Sequence, residues 1–182
     1  MIITISGTPG SGKSTVAKAV AKEFKLKHYS AGDFMREMAA ERGISLEELS
    51  KLAEEDISVD REIDARNKRL AKEDNFIIDS RLAFHFLPKA IKIFLKVNPK
   101  IAAKRIWKDI QDKKRMVEIF KSEKEVLGGI LARQRSDVSR YKKYYNLDYL
   151  DEKNYDFVLD TSKLNLQESI EETLKFIRKK II

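Results

Sequence analysis

A glycine-rich segment near the start of the chain, residues 7–14, restricts the possible folds more than any other feature of the sequence. It reads Gly-Thr-Pro-Gly-Ser-Gly-Lys-Ser, follows a short β-branched run at 2–6, and precedes apolar residues at helical spacing over 13–24. A buried strand, a tight turn and a helix are therefore predicted in succession. In such a turn, backbone N–H groups converge with the positive end of the helix, which makes it a site for an anion.

The same segment matches the pattern G-x-x-x-x-G-K-[ST] at every position, which indicates that the anion is the phosphate chain of ATP. Lys13 is predicted to reach the β and γ phosphates, and the Ser14 hydroxyl to ligate Mg²⁺. A chance match in an ordinary glycine turn is the alternative, and the flanking strand and helix argue against it. The residues predicted to bind ATP here are Gly7, Thr8, Pro9, Gly10, Ser11, Gly12, Lys13, Ser14 and Thr15.

The rest of the chain alternates predicted strands with predicted helices. Apolar runs at 76–79, 90–97 and 157–160 indicate further strands, and a short segment at 27–30 precedes the second helix. Helical patterns cover 33–42, 46–55, 59–72, 100–112, 121–145 and 166–180, with a capping box at Ser45 and Glu48 and a break or bend near 128–129. We therefore predict one α/β domain over residues 1–182, a doubly wound parallel five-stranded sheet flanked by helices.

Composition restricts the class of partner. Lysine and arginine total 37 against 29 acidic residues, a net charge of +8 that suits an enzyme whose two substrates both carry phosphates. The basic residues are spread along the chain, so nucleic acid is not the expected main partner. The sequence has no cysteine, no apolar run of about 20 residues and no signal-peptide pattern at its start. A cytoplasmic monomer acting on small-molecule nucleotides, with no membrane partner, is expected.

Residues 30–36, Ser-Ala-Gly-Asp-Phe-Met-Arg, resemble the S-x-G-D-x-x-R segment of the nucleoside monophosphate kinases. Over nearly the full chain the layout resembles the archaeal type of cytidylate kinase, including the IxxDREID pattern from residue 57 and the segments 79–83 and 155–162. The resemblance implies ATP-dependent phosphorylation of CMP and dCMP. It also implies a helical acceptor-binding segment at about 30–72 and a lid at about 104–129.

The acceptor side is expected to be rich in arginine, because a dianionic monophosphate must approach the charged phosphates of ATP. By resemblance, Arg36 and Arg81 would hold the acceptor phosphate, and Ser30 and Asp33 would line the same site. Arg36 could instead be a solvated surface residue, and Asp33 the N-cap of its helix. Asp79 either holds Mg²⁺ through water or caps a loop.

A second group of candidates lies on the long helix. Arg133, Asp137 and Arg140 fall at i, i+4 and i+7, so they share one helical face. They match the R-x-x-x-[DE]-x-x-R pattern of the cytidylate kinases, which implies that they bind the acceptor beside the lid. An intrahelical salt-bridge ladder is the alternative. Arg105 is expected on the ATP side.

The lid sequence departs from the family pattern. The family carries a further arginine near position 109, where this chain has aspartate. Lys108, Lys114 or Arg115 could supply the missing charge.

The resulting catalytic set is Lys13, Arg36, Arg81, Arg133 and Arg140. The two histidines, His28 and His85, are expected to be structural. Two alternatives stay open: the same fold with adenylate, uridylate or shikimate as acceptor, and an RNA-associated ATPase switch. For the latter, the tyrosines between 141 and 149 could stack on RNA, or they could pack the long helix onto the sheet.

Overall fold

A parallel sheet forms the centre of the computed structural model, which describes residues 1–112 and 120–181. Its order is β2-β3-β1-β4-β5, and every neighbouring pair is parallel. The strands are β1 (Ile2–Gly7), β2 (Lys27–Ser30), β3 (Phe76–Asp79), β4 (Ile91–Lys96) and β5 (Phe157–Asp160). The predicted fold class is confirmed. Strands β2 and β3 lie on one side of β1, and β4 and β5 lie on the other. The strand order therefore reverses beside β1, and a ligand crevice opens at the carboxyl end of this strand.

Helices cover both faces and the carboxyl edge of the sheet. They are α1 (Lys13–Glu23), α2 (Ala31–Glu41), α3 (Leu46–Glu55), α4 (Ser58–Leu70), α5 (Ala83–Phe86), α6 (Pro99–Gln111), α7 (Glu123–Tyr145) and α8 (Leu166–Ile181). The capping box predicted at Ser45 and Glu48 opens α3, with side chain and backbone bonded in both directions. Within the described ranges, no helix is long and apolar enough to span a membrane.

One face of the sheet is closed by α1 and α8. Val16 and Val20 of α1 and Ile177 of α8 are fully buried against Ile3 and Ile5 of β1. Burying each such side chain contributes about 1.5–3 kcal/mol. This packing holds the start of α1, and with it the glycine turn, rigidly against the central strand.

The other face is closed largely by aromatic side chains. Tyr141 of α7 and Tyr149 of the following loop are buried with Phe84 and Phe94, and the two tyrosine rings meet edge to face at 5.6 Å. Tyr155 donates a hydrogen bond to the Tyr149 carbonyl at 2.6 Å. Tyr141 and Tyr149 therefore pack the long helix onto the sheet, and their rings are not exposed for stacking on RNA.

Two smaller cores lie outside the sheet. Met38, Leu49 and Val59 join α2, α3 and α4 into one unit, which corresponds to the predicted acceptor-binding segment. A second cluster, around Ile106 and Val126, joins α6 to α7. Part of the predicted lid, including Lys114 and Arg115, lies outside the described residues.

The short helix α5 was not predicted, and helices α2 and α7 differ from the sequence expectation. Helix α2 begins at Ala31, earlier than predicted, so Ser30 takes the N-cap position and Asp33 lies in the first turn. The N-cap role considered for Asp33 is therefore wrong. Helix α7 runs through Gly128 and Gly129 without a break. The Phe120 ring packs against Gly129. A Cβ added at Gly129 would lie 2.8 Å from this ring, so a larger residue would not fit at this position.

Gly7→Ala should destabilise the protein far more than Gly43→Ala. Both glycines have positive φ, but a Cβ at Gly7 would lie 2.0 Å from the Leu95 carbonyl oxygen, whereas Gly43 has open space. We expect Gly43→Ala to cost about 1–2 kcal/mol from backbone strain alone. Gly7→Ala adds overpacking and should cost about 3 kcal/mol or more. Urea unfolding measures both, and equal losses would contradict the close approach of β1 and β4.

Candidate active site

The glycine turn between β1 and α1 is fixed to the neighbouring strand β4. The backbone N–H of Thr8 donates to the Leu95 carbonyl at 3.0 Å, and its hydroxyl accepts from the N–H of Val97 at 3.1 Å. Gly10 and Gly12 have φ values of 76° and 87°, which other residues rarely adopt. Residues 7–15 thus lie together at the sheet's carboxyl edge, at the start of α1.

Lys13 lies among other cations at this edge. Its ammonium donates to the Thr8 carbonyl at 3.0 Å. Removal from water, followed by the nearby guanidinium groups of Arg81 and Arg133, lowers the pKa of Lys13 to about 7, while Asp79 and Asp137 oppose the shift. Three positive side chains converge on one space, and a bound phosphate would relieve their repulsion. The geometry therefore fits the phosphate chain of a nucleotide.

Asp79 ends β3 directly beside the glycine turn. Its carboxylate accepts a hydrogen bond from the Ser14 hydroxyl at 2.5 Å and one from Ser30 at 3.3 Å. The Nε2 atom of His28 lies 2.9 Å from its other oxygen. A hydroxyl and a carboxylate held together are ligands that suit Mg²⁺, so Ser14 and Asp79 fit this ion. The recorded partners of Asp79 are side chains, which gives the loop-capping alternative no support.

His28 is a residue whose position the sequence reasoning missed. Strands β2 and β3 are paired with Ser30 opposite Asp79, and side chains two residues apart share a face. This register brings His28 to Asp79. The register of parallel strands is set by the sheet, and no local pattern around His28 signals it.

A chain of ion pairs, formed by partly exposed arginines on buried carboxylates, leads away from Lys13. Arg81 Nε lies 3.0 Å from Asp137, and Arg140 pairs with the same carboxylate at 3.2 Å. Arg140 Nε also lies 3.0 Å from Asp60 of α4. Of these three pairs, Arg140–Asp137 lies within one helix, and the other two join different elements, which an intrahelical ladder does not account for. The chain links the loop after β3, α7 and α4.

The burial of these groups shifts their pKa values. Burial alone lowers the pKa of Arg81, but the Asp137 carboxylate, with Tyr141 and Tyr149, raises it above its ordinary value. Burial raises the pKa of Asp60 to about 6, although Arg140 acts in the opposite direction. Removing one partner of a buried pair would leave the other charge uncompensated. Each side chain of the chain therefore holds its partner in place.

Other predicted site residues lie apart from this chain. Arg36 and Asp33 pair with each other on the exposed surface of α2. Arg105 donates to the carbonyls of Thr161 and Leu164 at 2.7 and 2.9 Å, which ties α6 to the loop after β5. Their roles in binding substrate stay predictions.

Two further acids at the site, Asp60 and Asp64, were not predicted. They lie on one face of α4, and Asp64 accepts a hydrogen bond from the Tyr145 hydroxyl at 2.6 Å. The signal available in the sequence was their four-residue spacing on an amphipathic helix.

The site combines a parallel sheet, a glycine turn at its switch point, an adjoining lysine and serine, and arginines beside them. This combination defines a P-loop phosphotransferase. The sequence family described as AAA domain matches residues 6–137. The cytidylate kinase of Methanothrix thermoacetophila is 39% identical over 178 residues, with 98% of each chain covered. That of Methanocella arvoryzae is 42% identical over 164 residues, covering 90% of this chain and 89% of the relative. The chain belongs to the cytidylate kinase family.

Solved structures share the fold at lower sequence identity. An uncharacterised protein from Eubacterium ventriosum superposes with a TM-score of 0.71 and 20% identity, with 98% of each chain covered. Shikimate kinase from Bacteroides thetaiotaomicron gives a TM-score of 0.67 and 16% identity, covering 100% of this chain and 98% of that one. Likeness at this identity shows the architecture and leaves the acceptor open.

Nucleotide binding should draw a proton onto Lys13 above neutral pH. With its pKa near 7 in the free protein, Lys13 is mostly neutral at pH 8, and bound phosphates favour the charged form. We expect MgATP binding at pH 8 to take up close to one proton, and binding at pH 6 to take up little through this lysine. Calorimetry in buffers of different ionisation enthalpy measures the uptake.

Lys13→Arg is the matched control for this measurement, because an arginine stays charged at both pH values. It should bind nucleotide without the pH 8 uptake. Equal uptake in the variant and the wild type would assign the proton to another group.

Proposed function

We propose that the protein transfers the terminal phosphoryl group of ATP to CMP, and to dCMP, by direct in-line displacement. The observation that carries the proposal is the buried Arg81–Asp137–Arg140–Asp60 chain that begins beside Lys13. A second anion-binding group next to the glycine turn is what an acceptor with its own phosphate requires. A hydrolase that uses water as acceptor does not need it.

On the donor side, the backbone of residues 7–15 holds the phosphates of ATP, and Lys13 balances charge on the β and γ groups. Ser14 would ligate Mg²⁺, with Asp79 acting through a water, and the ion would screen the phosphate charge. The 2.5 Å hydrogen bond that Ser14 donates to Asp79 holds these two oxygens next to each other. Arg105 is proposed to contact ATP from α6.

On the acceptor side, Arg81 and Arg133 hold the phosphate of the monophosphate, one of whose oxygens attacks. Asp137 fixes the orientation of Arg81, and Arg140 holds Asp137 in turn. Ser30 lines the site through Asp79, while Arg36 and Asp33 are proposed to turn inward with the acceptor bound. Positioning and charge stabilisation supply the catalysis, so no covalent intermediate is needed.

Contacts between the acceptor-binding helices and α7 support exclusion of water from the reaction. Ser136 of α7 donates to Glu54 of α3 at 2.7 Å, and Arg140 reaches Asp60 of α4. Both join the unit at 30–72 to the arginine-bearing helix. Closing the site in this way prevents transfer to water and strengthens the electrostatic interactions inside.

CMP is favoured as acceptor by the relatives, which are cytidylate kinases at 37–42% identity over most of this chain. The shikimate kinases share the architecture only, so they give shikimate no particular support. The RNA-associated alternative is less well supported, because Tyr141 and Tyr149 are buried and their rings cannot stack on RNA bases.

An ADP-release assay with MgATP tests the function directly. CMP, dCMP, UMP, AMP, GMP and shikimate are offered as acceptors at equal concentration. We expect the highest kcat/KM with CMP and dCMP, because the family relatives act on cytidylate. A preference for AMP would keep the mechanism and overturn the acceptor. Absence of turnover with all six would refute the kinase proposal.

Arg81→Lys should lower kcat/KM for CMP by about 10²–10³, because lysine keeps the charge and loses the planar fork held by Asp137. Arg69→Lys is the matched control, since Arg69 lies on an exposed face of α4. Among the described residues, its side chain donates a hydrogen bond to the Ala65 carbonyl of the same helix. It should leave kcat/KM within about twofold. A loss in Arg81→Lys no larger than in the control would remove Arg81 from the mechanism.

A further inference from the structure

A polar stripe runs along the buried face of α4. Asp60, Asp64 and Asn67 are spaced at i, i+4 and i+7, so they lie above one another on one side of the helix. Their exposed fractions are 5%, 7% and 0%. A helix face buried to this degree is ordinarily apolar, and polar groups there call for partners.

Asn67 supplies the observation that points to a ligand. Both its amide oxygen and its amide nitrogen are fully buried, and neither has a hydrogen-bond partner among the residues that the structure describes. Leaving a buried donor or acceptor unsatisfied costs about 1–3 kcal/mol for each group. A ligand group that reaches this face of α4 and carries both a donor and an acceptor would satisfy this amide.

Asp64 has capacity for a further hydrogen bond. The Tyr145 hydroxyl occupies one oxygen at 2.6 Å, and a carboxylate offers about four acceptor positions. Burial raises the pKa of Asp64, while the Tyr145 bond and the nearby charges of Lys68 and His85 favour the carboxylate. An ionised Asp64 accepts hydrogen bonds and donates none.

The stripe continues the line of the acceptor site. Asp60 connects through Arg140 and Asp137 to Arg81, beside Lys13. With a rise of about 1.5 Å per residue, Asp64 and Asn67 lie roughly 6 and 10 Å further along α4. The arginines lie at one end of this line, where the phosphate of a nucleoside monophosphate would bind. The acceptor and amide groups of Asp64 and Asn67 lie at the other end, where its base would follow the ribose.

We propose that this stripe reads the Watson–Crick edge of the acceptor base: Asp64 accepts a hydrogen bond from the 4-amino group of cytosine, and the Asn67 amide pairs with the adjoining ring edge. The inference rests on the proposed function and extends it to the residues that select the base.

The chemistry of the two pyrimidines explains the selection. Cytosine presents a donor at position 4, which matches a carboxylate. Uracil presents a carbonyl oxygen there, and two acceptors that face each other repel. Asp64 therefore distinguishes CMP from UMP. An amide at the same position could donate to the uracil carbonyl and would lose this distinction.

A cycle of two enzymes and two substrates tests the pairing. Wild type and Asp64→Asn are each assayed with CMP and with its 4-deamino analogue, the ribonucleotide of pyrimidin-2-one. We expect removal of the amino group to lower kcat/KM roughly 30-fold in wild type and less than threefold in Asp64→Asn. In the variant the Tyr145 hydroxyl takes the one amide oxygen, which leaves an NH2 group that cannot accept from the 4-amino group. The CMP/UMP ratio of kcat/KM should fall by a similar factor in the variant, largely through KM.

Glu62→Gln is the matched control, a carboxylate-to-amide change on the same helix whose side chain pairs with Arg42 at 2.7 Å. Its CMP/UMP ratio should equal that of wild type. If Asp64→Asn lowers the rates with CMP and its analogue by the same factor, Asp64 does not contact the 4-amino group and the inference is overturned.

The wild-type measurements keep the inference testable if Asp64→Asn does not fold, as judged by its thermal unfolding. Wild type that does not distinguish CMP from its 4-deamino analogue refutes the inference, whereas a loss of roughly 30-fold supports it. Asn67→Ala, which removes the amide, should then weaken CMP binding about tenfold without changing ATP binding. The proposed function fails separately, if wild type does not phosphorylate CMP.

Discussion

The arrangement of the site depends on how one carboxylate, Asp137, holds two buried guanidinium groups. Arg81 and Arg140 both pair with it, and Arg140 passes the connection on to Asp60. Without this acid, buried cations would face Lys13 with little compensation, and their mutual repulsion would open the crevice. The ion pairs therefore join the loop after β3, α7 and α4, and they hold positive charge beside Lys13.

The sheet decides where these charges can meet. Strands β1 and β3 lie side by side, so the glycine turn after β1, Asp79 at the end of β3 and Arg81 just beyond it share one edge. The packing of α1 and α8 beneath fixes this edge. Helices α2, α3 and α4 share a small core of their own, and so do α6 and α7, while Tyr141 also packs α7 onto the sheet.

Local sequence rules determined most of the secondary structure. The capping box at Ser45 and Glu48, the Asn98 N-cap before Pro99 and the apolar runs of the strands act within a few residues, so their outcome is visible in the chain. The rules failed at Gly128 and Gly129, which suggest a break. Helix α7 continues through both, and Phe120 packs into the space that Gly129 leaves.

The sequence by itself determined the phosphate-binding turn, because every requirement of that turn, glycines, lysine and hydroxyl, lies within eight consecutive residues. It also indicated that Arg133, Asp137 and Arg140 share a helix face. Only the tertiary structure decided which charges meet. His28 reaches Asp79 through strand register, and Arg140 reaches Asp60 across two helices. Asp64 and Asn67 became candidates for base recognition through burial, since burial and pairing are set by elements far apart in the chain, and no local pattern encodes them.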